Sequence, residues 1–210
     1  ILLFIYYWSQ EVCNFKYISK ELKWAEHTFV KFKSSLREVC AIYFIRNPVL
    51  LGGPGRVVQI DESLFVRRKN NSGRMPNINW VFGGIDCLSK ECFLLPVAQR
   101  NACTLIPIIR TYIRPGSIIM SDLWKAYDTV SHYDYEHLRV NHKIQFVNHE
   151  TGANTQGIEN LWMNAKRRNK KECGTKSELL ESYLIEFMWR QKFKDSLFET
   201  IITHISLYYN

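Results

Sequence analysis

The sequence predicts an α/β fold, a mixed β-sheet flanked by helices, behind an N-terminal helical region. Three observations carry this. Turn formers are scarce over residues 1–46, where Leu22, Trp24, Phe29, Val30, Leu36, Val39 and Cys40 recur at roughly helical spacing. Beyond residue 56, short apolar runs alternate with helical stretches in the order strand, strand, strand, helix, strand, helix, strand, helix. At 210 residues, 46% hydrophobic and 23% charged, the chain can bury a real core. Disorder, collagen-like sequence and a coiled-coil rod are thereby excluded.

Residues 1–50 admit two readings. In one they are a DNA-binding helix-turn-helix, with helices over 14–22 and 26–45 and with Lys31, Lys33 and Arg37 facing outward. In the other they are a helical scaffold that packs on the core. The apolar run at 1–8 is far short of the ~20 residues a membrane span requires, so no membrane partner is expected. The chain lacks an initiator methionine, and we expect an N-terminally truncated copy. No basic stretch or small-residue cleavage site suggests a signal peptide. Gly52-Gly53-Pro54-Gly55 reads as a linker.

A second domain is expected over 56–195, with strands at 57–60, 80–82 and 92–95. Thr104 is the expected N-cap of the next helix, with Pro107 in its first turn and Arg114-Pro115-Gly116 ending it. A buried strand at 117–120, a short helix over 122–130 and an irregular strand at 138–148 follow. Two further helices occupy 155–171 and 178–193, the second opened by a capping box of Thr175 and Glu178. Residues 196–210 form a last helix.

Lysine and arginine outnumber acids 28 to 20, a net charge of +8, which favours a polyanion and most simply nucleic acid. A merely basic soluble protein is the alternative. The six cysteines (13, 40, 87, 92, 103 and 173) include no Cys-x-x-Cys pair. That disfavours a zinc ribbon or a disulfide framework and points to reduced thiols in the nucleus or cytoplasm.

Three acids stand out by position. Asp61 ends the apolar strand Val-Val-Gln-Ile-Asp, and Asp122 ends Ile-Ile-Met-Ser-Asp. Two buried strands that each finish in Asp can present both carboxylates at one sheet edge, where ligands of α/β folds gather. Each Asp also suits a turn or an N-cap, Asp122 especially. Glu159 lies about 100° round the helix from Ile158, beside the apolar stripe Ile158, Leu161, Trp162 and Ala165. Lys166 follows two turns later on the same edge. Three carboxylates in this context suit two Mg²⁺ or Mn²⁺ ions about 3.5–4 Å apart, with the lysine on a phosphate.

These residues carry a resemblance. Val-Val-Gln-Ile-Asp-Glu-Ser (57–63) resembles the first catalytic motif of the Merlin superfamily of DDE transposases. Trp-Val-Phe-Gly-Gly-Ile (80–85), Pro-Gly-Ser-Ile-Ile-Met-Ser-Asp-Leu-Trp-Lys-Ala-Tyr (115–127), Val-Asn-His (140–142) and Thr-Gln-Gly-Ile-Glu-Asn-Leu-Trp (155–162) with Lys166 are similar in collinear order. Merlin elements are eukaryotic cut-and-paste transposons related to bacterial insertion sequences. The resemblance implies an RNase H-like core, Asp61, Asp122 and Glu159 as metal-binding triad, Lys166 as the following lysine, and a two-metal Mg²⁺ or Mn²⁺ site. It further implies a nuclear enzyme that cuts transposon terminal repeats and joins them to target DNA, with room for a homodimer in the synaptic complex. Family members commonly have Glu at the position of Gln59 and His at that of Asn154, and these departures leave open a catalytically silent DNA-binding descendant.

Glu62 points away from Asp61 in a regular strand, and Asp86 is expected to open the turn at Leu88-Ser89. His142 falls near the site by analogy. Arg167, Arg168, Lys170 and Lys171 fit DNA phosphates, a nuclear import signal or a solvated helix end. Arg67, Arg68, Lys69 and Arg74, in a hairpin after the first strand, are assigned to the DNA backbone.

Overall fold

The computed structural model describes residues 1–65, 80–140, 154–172 and 177–209. It contains helices α1 (Leu2–Ser9), α2 (Phe15–Leu22), α3 (Glu26–Arg46), α4 (Ala102–Tyr112), α5 (Gln156–Lys171), α6 (Ser177–Lys192) and α7 (Leu197–Tyr209). Its strands are β1 (Leu51–Gly52), β2 (Val57–Leu64), β3 (Trp80–Asp86), β4 (Cys92–Val97), β5 (Ile113–Arg114), β6 (Ile118–Ser121) and β7 (Glu136–Arg139). They fall into two compact units, Ile1–Pro48 with Ile185–Asn210, and Val49–Leu184.

The helical unit draws on both ends of the chain. Phe4, Trp8, Ile18, Leu36, Val39 and Cys40 share one core with Trp189 and Ile201. Arg190 donates to Glu186 at 3.0 Å, to the Trp8 carbonyl at 2.8 Å and to the Ser9 carbonyl at 3.3 Å, and so ties the end of α1 to α6. Helices α2 and α3 match the expected pair. Arg37, however, does not face outward. It is buried, because α3 is covered by both α2 and α7. Lys31 is exposed and Lys33 half-buried, its ammonium 5.6 Å from the Phe29 ring centroid.

The second unit is built on a five-stranded mixed sheet in the order β4-β3-β2-β6-β7. The pairs β2–β3 and β3–β4 are antiparallel, while β2–β6 and β6–β7 are parallel. This is the mixed sheet expected of an RNase H-like core. β2 is central because Val58 and Ile60 bury completely on one face while Gln59 buries on the other.

Several local expectations change. The glycine-rich segment at 52–55 is no linker. Gly52 N donates to Asp86 Oδ2, Gly53 N donates to Ser117 Oγ, and β1 pairs with β5. Helix α4 begins at Ala102, since Asn101 Oδ1 accepts from Thr104 N and is therefore the cap. Pro107 thus lies inside the helix rather than in its first turn. The helix expected over 122–130 is two short 3-10 turns, Lys125–Tyr127 and Val130–Tyr133, since the extended ψ of Trp124 (126°) delays its start and Thr129, with ψ 0°, separates the turns. Of the strand expected at 138–148, Leu138 and Arg139 belong to β7, which begins earlier at Glu136, Val140 lies beyond it, and 141–148 are outside the described residues. Thr175 of the expected capping box lies outside the described residues. No described helix is long and apolar enough to cross a membrane.

Candidate active site

Gln59 and Asp61 lie two residues apart on β2 and so share one face of the sheet, the face that α5 covers. Helix α5 buries Ile158, Leu161, Trp162 and Ala165. Trp162 Nε1 donates to Asp61 Oδ2 at 3.0 Å. Gly83 pairs with Asp61 across β2 and β3, and a Cβ there would stand 2.7 Å from the Trp162 ring. The bare backbone at Gly83 is what seats the indole.

Gln59 makes the second fastening. Its buried Oε1 accepts from Ile158 N at 2.9 Å, and its Nε2 donates to Asn154 Oδ1 at 3.0 Å. Thr155, at the N-cap position of α5, makes no side-chain cap bond, so a strand residue satisfies a helix-end N–H from 99 residues away. A Cβ on Gly157 would meet Gln59 Oε1 at 2.6 Å, so glycine is needed for this approach. Gln59→Ala should lower stability by about 1–3 kcal/mol, the cost of stranding a buried donor. Urea unfolding measures it, and a loss below a few tenths would show that α5 does not depend on the clamp.

Asp122 arrives from the neighbouring strand. Gln59 pairs with Met120 in parallel register, and two residues further on each strand stand Asp61 and Asp122. Both carboxylates thus reach the same end of the parallel pair. Asp122 Oδ1 accepts from Trp124 N at 2.9 Å, the turn role that its sequence context also suits. Glu159 sits in the first turn of α5, exposed, with Oε1 accepting from Thr155 Oγ1 at 3.1 Å. Glu159, Trp162 and Lys166, at i, i+3 and i+7, follow one edge of α5, the edge fastened to Asp61. Exposed Lys166 places its ammonium 5.8 Å from the Phe65 ring centroid, and Phe65 meets Trp162 edge-on.

Negative potential accumulates at this end of the sheet. Glu62 lies on the opposite face, as strand alternation requires. Burial pushes its carboxyl up to about 7, the nearby Tyr127 hydroxyl moderates the rise, and the charges of Asp61 and Asp122 add to it. Burial and the same three carboxylates raise the Tyr127 hydroxyl well above its ordinary value. His137, whose Nε2 lies 2.8 Å from Ser121 Oγ, is lowered to about 4 by burial and then by Arg139. Hard carboxylate oxygens at a crowded negative edge fit Mg²⁺ or Mn²⁺. The register carries Asp61 and Asp122 to this edge, and Glu159 stands on α5 three residues before the Trp162 that is fastened to Asp61. Among the described residues no three His, Cys, Asp or Glu side chains lie close enough to hold one ion.

Arg167, Arg168, Lys170 and Lys171 occupy the last turns of α5, all exposed except half-buried Arg168. Cations there also suit the negative end of the helix. Asp86 opens the turn as expected, accepting from Leu88 N and Ser89 N. Arg67, Arg68, Lys69, Arg74 and His142 lie outside the described residues. Sequence reasoning took Trp162 for core alone and Gln59 only for a departure from pattern. A polar residue between the fully buried Val58 and Ile60 was the signal for the clamp.

The model of one protein family, the ISXO2-like transposase domain, matches residues 54–192. A Haemophilus influenzae protein described as an uncharacterized transposase-like protein is 36% identical over 100 residues, covering 48% of this chain and 80% of its own. Solved structures with similar coordinates include the catalytic core of HTLV-2 integrase in complex with magnesium, 13% identical over 65% of this chain and 86% of that one, with a TM-score of 0.44. The catalytic core of BIV integrase is 12% identical over 73% of this chain and 98% of that one, with a TM-score of 0.42.

Proposed function

Since the chain belongs to the family of the ISXO2-like transposase domain, we propose that it is a DNA transposase that cuts transposon ends and transfers the freed 3′-OH into target DNA. The observation that supports the reading is the parallel pairing of β2 with β6, with Asp61 and Asp122 each two residues beyond the paired Gln59 and Met120. Asp61 and Asp122 would hold Mg²⁺ or Mn²⁺, with Glu159 completing the set by giving up its bond to Thr155. The ions supply Lewis-acid stabilisation of the attacking and leaving oxygens when bound.

The chain's own residues do the rest. Trp162 fixes one oxygen of Asp61, and the Gln59 clamp sets the depth of α5. Lys166, one turn beyond Trp162, would hold a phosphate. Arg167, Arg168, Lys170 and Lys171 continue that line and would follow the DNA backbone. We assign Arg67, Arg68, Lys69 and Arg74 to the same role on sequence grounds. The collinear motifs support a place among the Merlin elements, and with it a nuclear enzyme. Helices α2 and α3 remain candidates for reading terminal-repeat DNA, now with Lys31 rather than Arg37.

The silent-binder reading rests on Gln59 and Asn154. Those two side chains are bonded to each other, and Gln59 to α5, so they act as one clamp rather than as two losses. This favours the enzyme. The test incubates the 210-residue chain with an end-containing duplex and a target plasmid, in Mn²⁺ and in EDTA. Nicks at the element end and joined products in Mn²⁺ alone are expected. Binding without cutting in either condition would establish the silent binder.

A further inference from the structure

Immediately after Asp122 the chain turns outward and exposes Leu123, Trp124 and Lys125 in succession. Trp124 stays 43% exposed and Leu123 52%. This is an unusual place for so much apolar surface, beside a carboxylate and in a chain of net charge +8. Trp124 is nevertheless held firmly. Its Nε1 donates to the Arg100 carbonyl at 3.1 Å, and its backbone N donates to Asp122. The Arg100 guanidinium lies 3.6 Å from the Trp80 ring centroid and 5.2 Å from that of Trp124, so one cation is shared between two indoles.

The indole N–H is therefore already satisfied, and what remains open is ring surface. A Trp kept only for packing would bury that surface. One kept for a protein partner would normally sit in a patch poor in lysine, whereas exposed Lys125 adjoins this one. An immobilised aromatic face beside cations suits a flat, polarisable group attached to a phosphate chain.

We propose that Trp124, backed by Arg100, is a stacking platform for one unpaired nucleobase of DNA next to the phosphate being cut. Duplex bases are stacked on each other and offer no free face, so the platform selects a nucleotide that has left the helix. Unpairing at the cut would let the strand bend into the sheet edge at Asp122, and the platform stabilises that opened state. The identity of the strand rests on the transposase reading. The affinity for unpaired bases does not.

The first arm of the test works in EDTA, so no cutting occurs. It measures binding of the 210-residue chain to oligothymidylate and to a duplex without element ends. Trp124→Ala should weaken oligothymidylate binding about tenfold and duplex binding less than about twofold, and Trp124→Phe should recover most of the loss. The second arm measures cutting in Mn²⁺. Trp124→Ala should slow cutting of a fully paired end, and mismatches placed at the cut should restore its rate. Equal oligothymidylate binding by Trp124→Ala and wild type overturns the platform, as does a Phe variant no better than Ala when both fold as judged by circular dichroism. If wild type cuts nothing yet the oligothymidylate arm behaves as expected, the platform stands and the transposase reading falls. If wild type cuts and that arm is flat, the platform alone falls.

Discussion

Asp122→Asn should lower cutting of an end-containing duplex by roughly a thousandfold or more, the loss expected when a divalent ion worth several kcal/mol of transition-state stabilisation is no longer held. The substitution keeps the side chain's size, and its amide oxygen still accepts from Trp124 N, so the turn after β6 survives. DNA binding should stay equal or tighten slightly, since a negative charge facing phosphate has gone. Stability should change little, because like charges crowd this edge in the absence of cations. Nicking and binding measured side by side, with and without Mn²⁺, decide the matter. Cutting that survives the substitution would remove Asp122 from the metal site.

The largest effect on stability is expected away from Asp61 and Asp122. Asp86, 1% exposed, accepts from Gly52 N, Leu88 N and Ser89 N and pairs with Arg56 at 2.8 Å. Asp86→Ala strands three backbone donors and should cost about 3–4 kcal/mol in urea unfolding. Arg56 adds less to that figure than a fully buried partner would, since its side chain is 39% exposed and can recover water. Burial works against the Asp86 charge, yet Ser89 N–H, Arg56, Leu88 N–H and Gly52 N–H together hold its carboxyl below the ordinary range. A carboxyl lowered on folding contributes stability above its unfolded value of about 3.9, and that contribution disappears as pH falls through the native value. The gap between wild type and Asp86→Asn should therefore be full at neutral pH and close in acid. A gap that does not vary with pH would show that the charge on Asp86 contributes nothing to stability.

What sequence could show of this protein depended on how local the cause was. β2 and β6 announce themselves as apolar runs, and α5 by a stripe whose period needs only its own residues. Asp122, just past β6, was legible for the same reason, whereas Asp61 does not end its strand as expected but lies inside β2, which pairs with β3 as far as Leu64. The start of α4 was not legible, because Asn101 and Thr104 are both good caps and only the hydrogen bond chooses between them. The glycines at 52–55 misled in a different way. Glycine reports that a backbone can bend, but the N–H partners that pin it, Asp86 and Ser117, are supplied by other strands. Gln59 and Trp162 were similarly hidden, since each acts on a residue about 100 positions away. Arg37 looked outward-facing because charge was read without the second helix that covers it.

The two-ended construction of the helical unit has a consequence for how the protein is made. A ribosome releases residues 1–48 before the sheet, yet Phe4, Trp8 and Leu36 share their core with Trp189 and Ile201, which emerge after it. Residues 49–184 are contiguous, so the sheet can close while the nascent chain is still tethered. The earliest-made helices must meanwhile wait with apolar faces uncovered, exposed to chaperones or to one another. The five-stranded sheet can thus be complete before helices α1 to α3, made ahead of it, have found their cover.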